Sequence, residues 1–222
     1  MTITEAMQAR HAVRAFTDRR IEGETEAALR QAIEEANRES GLHFQLCLNE
    51  PEAFQASKPH YGSFENCRNY IAVVARPGSD EACGYYGEKL VLSAQTLGLN
   101  SCWVVLTYKK GKAAYDCADG EKLRCVIALG YGKTQGVPHT SKDLAKVCEV
   151  SGTMPDWFKA GMAAALLAPT AVNQQKFFFA LDADVVSAKT QPSVIGNTKL
   201  DLGIVKYHFE LGAGRDNFRW AE

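Results

Sequence analysis

The sequence predicts an α+β fold in which helices flank a central sheet. Two observations carry this prediction. Amphipathic helix patterns and short β-branched runs are interleaved in the order α, β, β, α, β, β, α, β, α, which is not a strict alternation. The chain has 222 residues, 46% apolar and 23% charged, which suits one globular domain with a buried core. We therefore predict a single domain over residues 1–222.

The first part of the chain carries two helix patterns and four strand patterns. Residues 24–38 and 80–97 each place apolar side chains on one helical face, and Gly98 is typical of a left-handed helix end. A loop rich in Pro, Gly and Ser runs to about residue 66, and residues 109–122 form a polar connection with room for a short helix. The predicted strands are HFQLCLN, NYIAVVA, CWVVLTY and LRCVIALGYG.

The last third of the chain predicts a helix, a strand and a final helix. Thr153 and Asp156 form an acidic variant of a capping box, with Pro155 in the first turn, and the helix is expected to run to about Ala168. KFFFALD is a strand by composition, and residues 198–212 form an amphipathic helix. Because a helix precedes both HFQLCLN and KFFFALD, half-repeats over 1–150 and 151–222 are a second interpretation, without a fixed period.

Composition narrows the class of protein. The 25 basic and 26 acidic residues leave a formal charge of −1, which disfavours nucleic acid and acidic membrane surfaces as partners. The N-terminus lacks a signal-peptide pattern and no apolar run is long enough to span a bilayer, so we expect a cytoplasmic protein. The seven Cys residues form no CxxC pair, which predicts no metal site, and we interpret all seven as small apolar thiols.

The segment GYGKTQG at 130–136 resembles a phosphate loop only superficially. The Walker spacing requires a glycine where Ile127 stands, and a third glycine of a GxGxxG pattern is replaced by Gln135. We therefore interpret this segment as a surface turn.

Two other segments carry polar groups that suit a ligand. In RHAVRAF, Arg10 and Arg14 lie four residues apart, so on a helix or a tight turn both guanidinium groups point into one pocket; a solvated face is the alternative. In APTAVNQQKFFF, the amides that follow Pro169 suit recognition of a polar heterocycle, and an ordinary polar connection is an equally weighted alternative.

Taken together, these segments resemble the FMN-dependent nitroreductase family, and in particular its compact subgroup. The resemblance covers nearly the whole chain. Its motifs are RHAVRAF with RRIE, YGSFENCRNYIAVVA, GYYGEKLVLSAQTLGLNSCWV, VIALGYG with PHTSK, APTAVNQQKF and LDLGIVKYHFELGAG.

The resemblance implies roles for three basic residues and a histidine. Arg10 is expected to bind the FMN phosphate, with His11 alongside, and Lys142 to complete the phosphate site, unless it is an ordinary surface lysine. Arg14 takes the position of the basic residue near the flavin N1 and O2 edge. A fixed cation there stabilises the negative charge that reduction creates.

The chain departs from the family pattern near the flavin ring. Val105 and Leu106 occupy the segment whose backbone amides approach flavin N5, where the family usually has glycines. The family serine after the opening arginine is replaced by Ala12, which removes one hydroxyl contact worth about 0.5–1.5 kcal/mol.

A second departure concerns the Ala-Pro-Ser type motif. Relatives carry it early, where it covers the partner subunit's flavin, whereas here it appears at Pro169, Thr170, Asn173 and Gln174. We therefore expect these residues to meet Arg10 and Arg14 within one chain. The hypothesis is a single-chain pseudo-dimer that binds one FMN.

The activity implied by the resemblance is hydride transfer from NAD(P)H to FMN and then to a small acceptor such as a nitroaromatic or a quinone. The flavin carries the chemistry, so no side chain is assigned as catalytic. The protein is expected to be a monomer or a homodimer. The chief alternative is a weakly active flavin-binding protein with a sensing or storage role, and the other is a structural interaction module.

Overall fold

We describe a computed structural model of the chain over residues 1–55 and 63–221. Part of the predicted loop before residue 66 lies outside these residues. Among the residues described, no helix is both long enough and apolar enough to cross a membrane.

The helices are α1 Ile3–Ala9, α2 Glu24–Ser40, α3 Asp80–Thr96, α4 Asp156–Ala165 and α5 Thr198–Ala213. The strands are β1 His43–Cys47, β2 Asn69–Ala75, β3 Asn100–Val104, β4 Lys122–Gly130, β5 Cys148–Val150, β6 Phe177–Asp182, β7 Val185–Thr190 and β8 Arg219–Trp220.

The chain divides into two compact units. The first unit contains Met1–Ser79 and Lys89–Pro138, and the second contains Asp80–Glu88 and His139–Glu222. Helix α3 therefore contributes its first turns to the second unit and the rest to the first. Each unit has its own four-stranded sheet, which the sequence patterns did not separate. The prediction of one domain, with half-repeats as a second interpretation, stays a prediction.

The first unit is built on an antiparallel sheet with the strand order β1-β2-β4-β3. All seven residues of β2 are buried, as the continuous apolar run NYIAVVA predicts for a strand covered on both faces. Helix α2 packs on β1 and ends at Gly41, whose left-handed backbone (φ 68°) lets its N–H bond the Asn37 carbonyl. Gly98 after α3 is also left-handed (φ 79°), which confirms the predicted helix end.

The second unit contains a sheet with the order β5-β6-β7-β8, in which β6 and β7 form an antiparallel hairpin and the two outer strands pair in parallel. Helices α4 and α5 pack against each other, and α5 contacts the sheet. Aromatic side chains pack together in this unit around the ring of Phe209. The centroid of that ring lies 4.8 to 5.7 Å from the ring centroids of Phe158, Phe179, Phe218 and Trp220. The sequence patterns predicted β6 and α5 but missed β5, β7, β8 and, at the start of the chain, α1.

Helix α4 differs from its predicted form at both ends. Pro155 is the N-cap, with no side-chain cap bond, so Thr153 lies too far upstream to cap the helix and the predicted capping box is wrong. The α-helix ends at Ala165 because the next residues form a tighter turn, in which the N–H of Ala168 bonds the Ala165 carbonyl at 3.2 Å. The following Pro169 disfavours helical backbone at the residue before it.

The cysteine interpretation holds for six of the seven residues. The six at 47, 67, 83, 102, 125 and 148 are buried thiols. Cys117 is exposed, so the apolar interpretation is wrong there. It lies in the polar connection before β4, between Asp116 and Ala118, where no apolar face is available to cover it.

Helices α3 and α5 cross within the second unit at two glycines. A Cβ added at Gly84 would lie 1.9 Å from the Leu200 carbonyl oxygen, and a Cβ added at Gly203 would lie 1.9 Å from the Glu81 carbonyl oxygen. Each glycine therefore lies against the backbone of the residue that precedes the other glycine by three positions in the sequence. This reciprocal contact leaves no space for a side chain at either position.

We predict that Gly84→Ala destabilises the protein by about 1–3 kcal/mol, because the added methyl group forces the two helix backbones apart. Chemical denaturation measures the free energy of unfolding. Gly111→Ala is the matched control, since a Cβ at Gly111 meets nothing within 4 Å. Equal stability of the two variants would contradict the close crossing.

Candidate functional site

The arginine motif is extended rather than helical. Helix α1 ends at Ala9, and Arg10 already has extended backbone (φ −69°, ψ 119°). Beyond Arg10, the Val13 N–H donates to the Ser101 carbonyl at 3.0 Å. The motif also pairs with Glu65: the Phe16 N–H donates to the Glu65 carbonyl at 3.0 Å, and the Glu65 N–H donates to the Arg14 carbonyl at 2.9 Å. The motif therefore forms neither a helix nor a tight turn. In extended chain, residues four apart also lie on the same side.

Both arginines lie near strand β3 in the first unit. Arg10 is 4% exposed, whereas Arg14 is exposed. Burial raises the pKa of the Cys102 thiol, and the positive charges of Arg14 and Arg10 both oppose that rise. Two guanidinium charges therefore act on one buried thiol of β3. Such a pair suits a phosphate or another anion, which arginine binds through charge-assisted hydrogen bonds.

The predicted flavin-loop residues directly follow the same strand. Val105 and Leu106 come after the last residue of β3, with Val105 half-buried and Leu106 78% exposed. The first unit therefore places the arginine motif beside β3 and this pair at its end.

The turn at 130–136 supports the arginine motif. It is an irregular turn with an exposed tip, which confirms the surface-turn interpretation. Its backbone bonds the motif, since Thr17 N donates to the Tyr131 carbonyl at 2.8 Å and Lys133 N to the Ala15 carbonyl at 2.9 Å. A Cβ at Gly136 would lie 2.7 Å from the Cβ of His11, so a glycine is needed for this approach. Sequence reasoning missed this supporting role.

In the second unit, the residues after Pro169 form a tight polar turn. The Thr170 hydroxyl accepts a hydrogen bond from the Gln175 N–H at 3.0 Å. Three of the enclosed residues have left-handed backbone: Val172 (φ 47°), Asn173 (φ 55°) and Gln175 (φ 45°). A β-branched residue in this region is strained, and such strain persists only where surrounding contacts impose it.

Lys142 and the predicted amides are joined by hydrogen bonds. Asn173 Nδ2 and Gln175 Nε2 both donate to the Thr140 carbonyl at 2.9 Å. The Lys142 ammonium donates to the carbonyls of Gln174 and Gln175 at 2.8 Å each. Burial lowers the pKa of Lys142, and repulsion from neighbouring lysines adds to the effect. The second unit thus brings together Lys142, Pro169, Thr170, Asn173 and Gln174.

A residue that sequence reasoning missed closes this turn. Asp201 on α5 is 3% exposed, and its carboxylate accepts from Ala171 N at 3.0 Å and from Gln174 Nε2 at 2.8 Å. Burial raises its pKa to about 6, against the opposing effect of the hydrogen bonds from Gln174 and Ala171. The available signal was a single acid within the otherwise apolar run LDLGIV, because buried carboxylates are rare unless paired.

The chain belongs to a nitroreductase family. The family model described as "Putative TM nitroreductase" matches residues 2–213, nearly the whole chain. This match confirms the resemblance found in the sequence motifs. Among curated proteins, none matches the chain.

Solved structures of nitroreductases share the fold. A "putative nitroreductase" from Thermotoga maritima matches with a TM-score of 0.66 at 19% identity, over 97% of this chain and 85% of its own. One from Desulfovibrio desulfuricans, in complex with FMN, has a TM-score of 0.52 at 16% identity, over 66% of this chain and 94% of its own. A "Putative NADH dehydrogenase/NAD(P)H nitroreductase" from Bacteroides thetaiotaomicron has a TM-score of 0.50 at 20% identity, over 65% and 95%. These likenesses confirm the α+β fold.

We predict that the stability of the protein depends on pH through Asp201. The folded state raises the pKa of this carboxyl from 3.8 to about 6, so between those values the folded state holds a proton that the unfolded chain has released. Raising the pH through this range therefore costs up to roughly 3 kcal/mol of stability, and the cost is complete above pH 6 to 7.

Comparison with Asp201→Asn, which does not titrate, isolates this effect. Denaturation at pH 4 and pH 7 gives the free energy of unfolding of each protein. The value for the native protein minus the value for the variant should fall as the pH rises. A difference that stays constant or increases would be inconsistent with a raised pKa.

Proposed function

We propose that this chain is an FMN-dependent oxidoreductase that takes electrons from NAD(P)H and passes them to a small acceptor such as a nitroaromatic or a quinone. Family membership supports the class of reaction. The observation that carries the cofactor assignment is that the arginine motif pairs with β3, where Val13 N donates to the Ser101 carbonyl at 3.0 Å, and that Val105 and Leu106 directly follow that strand. A cationic pair and a loop at the end of one strand suit a ligand with a phosphate and a ring.

The residues of the first unit fit such a ligand. The buried guanidinium of Arg10 is the group best suited to the phosphate, because its planar donors bind two oxygens at once. Arg14, which is more exposed, is placed to stabilise negative charge at the ring edge. FMN, when bound, supplies the hydride and electron chemistry, and the protein supplies position and charge. We assign no side chain as an acid or base.

The residues of the second unit fit a supporting role. Lys142 already donates two of its three ammonium protons to backbone carbonyls, so at most one is left for a phosphate. Arg10 and Arg14 are therefore the principal anion-binding groups. Pro169, Thr170, Asn173 and Gln174 belong to a turn that is held by the Thr170–Gln175 hydrogen bond within it and by bonds to Thr140 and Asp201 outside it. A preformed turn of this kind costs little entropy when it binds a ligand.

We further propose one FMN per chain. The family resemblance implies that in relatives the corresponding motifs come from two subunits. This chain carries both motifs itself.

A flavin-binding protein with little turnover is the second candidate. Leu106, where the family usually has glycine, is 78% exposed, and bulky side chains at this loop narrow the space above a flavin ring. Binding without rapid reduction is the signature of this alternative.

We predict that the purified protein binds FMN at one molecule per chain and that NADPH or NADH bleaches the yellow band rapidly without oxygen. Absorbance titration, combined with mass measurement in solution, gives the stoichiometry, and anaerobic stopped-flow spectroscopy gives the rate. Half a flavin per chain would overturn the single-chain hypothesis. Slow or absent bleaching of bound FMN would favour the second candidate, and no binding would reject both.

We predict that Arg10→Ala weakens FMN binding about 10- to 100-fold, because charge-assisted hydrogen bonds contribute about 1.5–3 kcal/mol. Quenching of FMN fluorescence measures the dissociation constant. Arg30→Ala is the control, since Arg30 lies on the surface of α2 and pairs with Glu26. A folded Arg10→Ala protein with native affinity would remove Arg10 from the phosphate site.

A further inference from the structure

Asp201 is a buried acid placed where an apolar residue would pack more easily. It lies in the first turn of α5, between the buried residues Leu200 and Leu202, and is 3% exposed. Burying a carboxylate costs free energy unless hydrogen bonds replace the lost water. The position near the helix N-terminus, where the backbone dipole favours negative charge, offsets part of that cost. The remaining compensation comes from the turn after Pro169.

The carboxylate holds both ends of the strained part of that turn. Ala171 N donates to Oδ1 at 3.0 Å, and Gln174 Nε2 donates to Oδ2 at 2.8 Å. The two residues between these contacts are Val172 and Asn173, both with left-handed backbone. Such a conformation is unfavourable for a β-branched residue and requires external contacts to hold it. Asp201 supplies two of those contacts from a rigid helix.

The same carboxylate sets the orientation of the Gln174 amide. Gln174 Nε2 also donates to the Gly196 carbonyl at 3.1 Å, while its Oε1 accepts from the Ser193 hydroxyl. The amide therefore joins the turn after Pro169 to the loop before α5. An acceptor at position 201 is needed to direct the Nε2 side of the amide toward α5.

We propose that Asp201 is a positioning residue for cofactor binding, which holds the turn from Thr170 to Gln174 in the conformation that contacts FMN. This inference rests on the proposed function, because it concerns the same cofactor. Asp201 itself does not touch the cofactor. Its effect on affinity passes through the Ala171 N–H and the Gln174 amide.

The direction of the hydrogen bonds identifies the variants that test the proposal. Asp201→Asn keeps one oxygen for the Ala171 N–H but presents an NH₂ group to the Gln174 NH₂ group, so two donors face each other. Adding Gln174→Glu to this variant restores a donor opposite an acceptor at the contact between positions 201 and 174, while the Gly196 carbonyl loses its donor, so the expected recovery is partial. Gln174→Glu alone places two carboxyl groups together. At this contact, a donor therefore faces an acceptor in the native protein and in the double variant, but in neither single variant.

The experiment titrates FMN into the four proteins of this cycle and records fluorescence quenching and the visible circular dichroism of bound FMN. We expect Asp201→Asn to raise the dissociation constant about tenfold or more and to alter the dichroism band, as loss of one charge-assisted contact implies. The double variant should recover a substantial part of both. Asp156→Asn, an exposed acid in the first turn of α4, is the control and should change neither.

The outcomes separate this proposal from the proposed function. Native affinity and an unchanged dichroism band in folded Asp201→Asn would overturn the positioning role while FMN binding stands. Loss of affinity without recovery in the double variant would also overturn it, because a general packing defect does not depend on the exchanged pair. Failure of the native protein to bind FMN would overturn the proposed function and this inference with it.

Discussion

The pairing of buried polar groups is the constraint on which both groups of candidate site residues depend. In the first unit it holds the arginine motif in extended form, because the backbone of Val13 and Phe16 bonds Ser101 and Glu65. In the second unit it closes the turn after Thr170 through Asp201. A buried donor or acceptor without a partner costs about 1–3 kcal/mol, which exceeds the helix propensity differences of up to about 1 kcal/mol among residues other than proline.

The groups that hold these segments come from distant parts of the chain. The turn at 130–136 supports the arginine motif through backbone bonds, and Thr140 accepts from the amides of Asn173 and Gln175. Side chains that bind a ligand need this support, since a small displacement of a binding group weakens a contact steeply. Residues outside the recognised motifs therefore decide how well the motifs function.

The crossing of α3 and α5 constrains the fold at two positions. Gly84 and Gly203 leave no space for a side chain, because backbone lies directly against them. The exposed Leu106 is the opposite case. Its exposed position at the end of β3 is compatible with many side chains, so a substitution there affects the fold little.

The sequence by itself determined most helices and the buried strands, because periodicity and continuous apolar runs such as NYIAVVA are local signals of burial. It also identified two candidate ligand-binding motifs through a family resemblance, and their binding role stays a prediction. Only the tertiary structure decided the extended form of the arginine motif, the separation into two sheets, the short strands β5 and β8, and the hydrogen bonds of Asp201. Each of these depends on hydrogen-bond partners far away along the chain, and no local pattern records which distant group will be the partner.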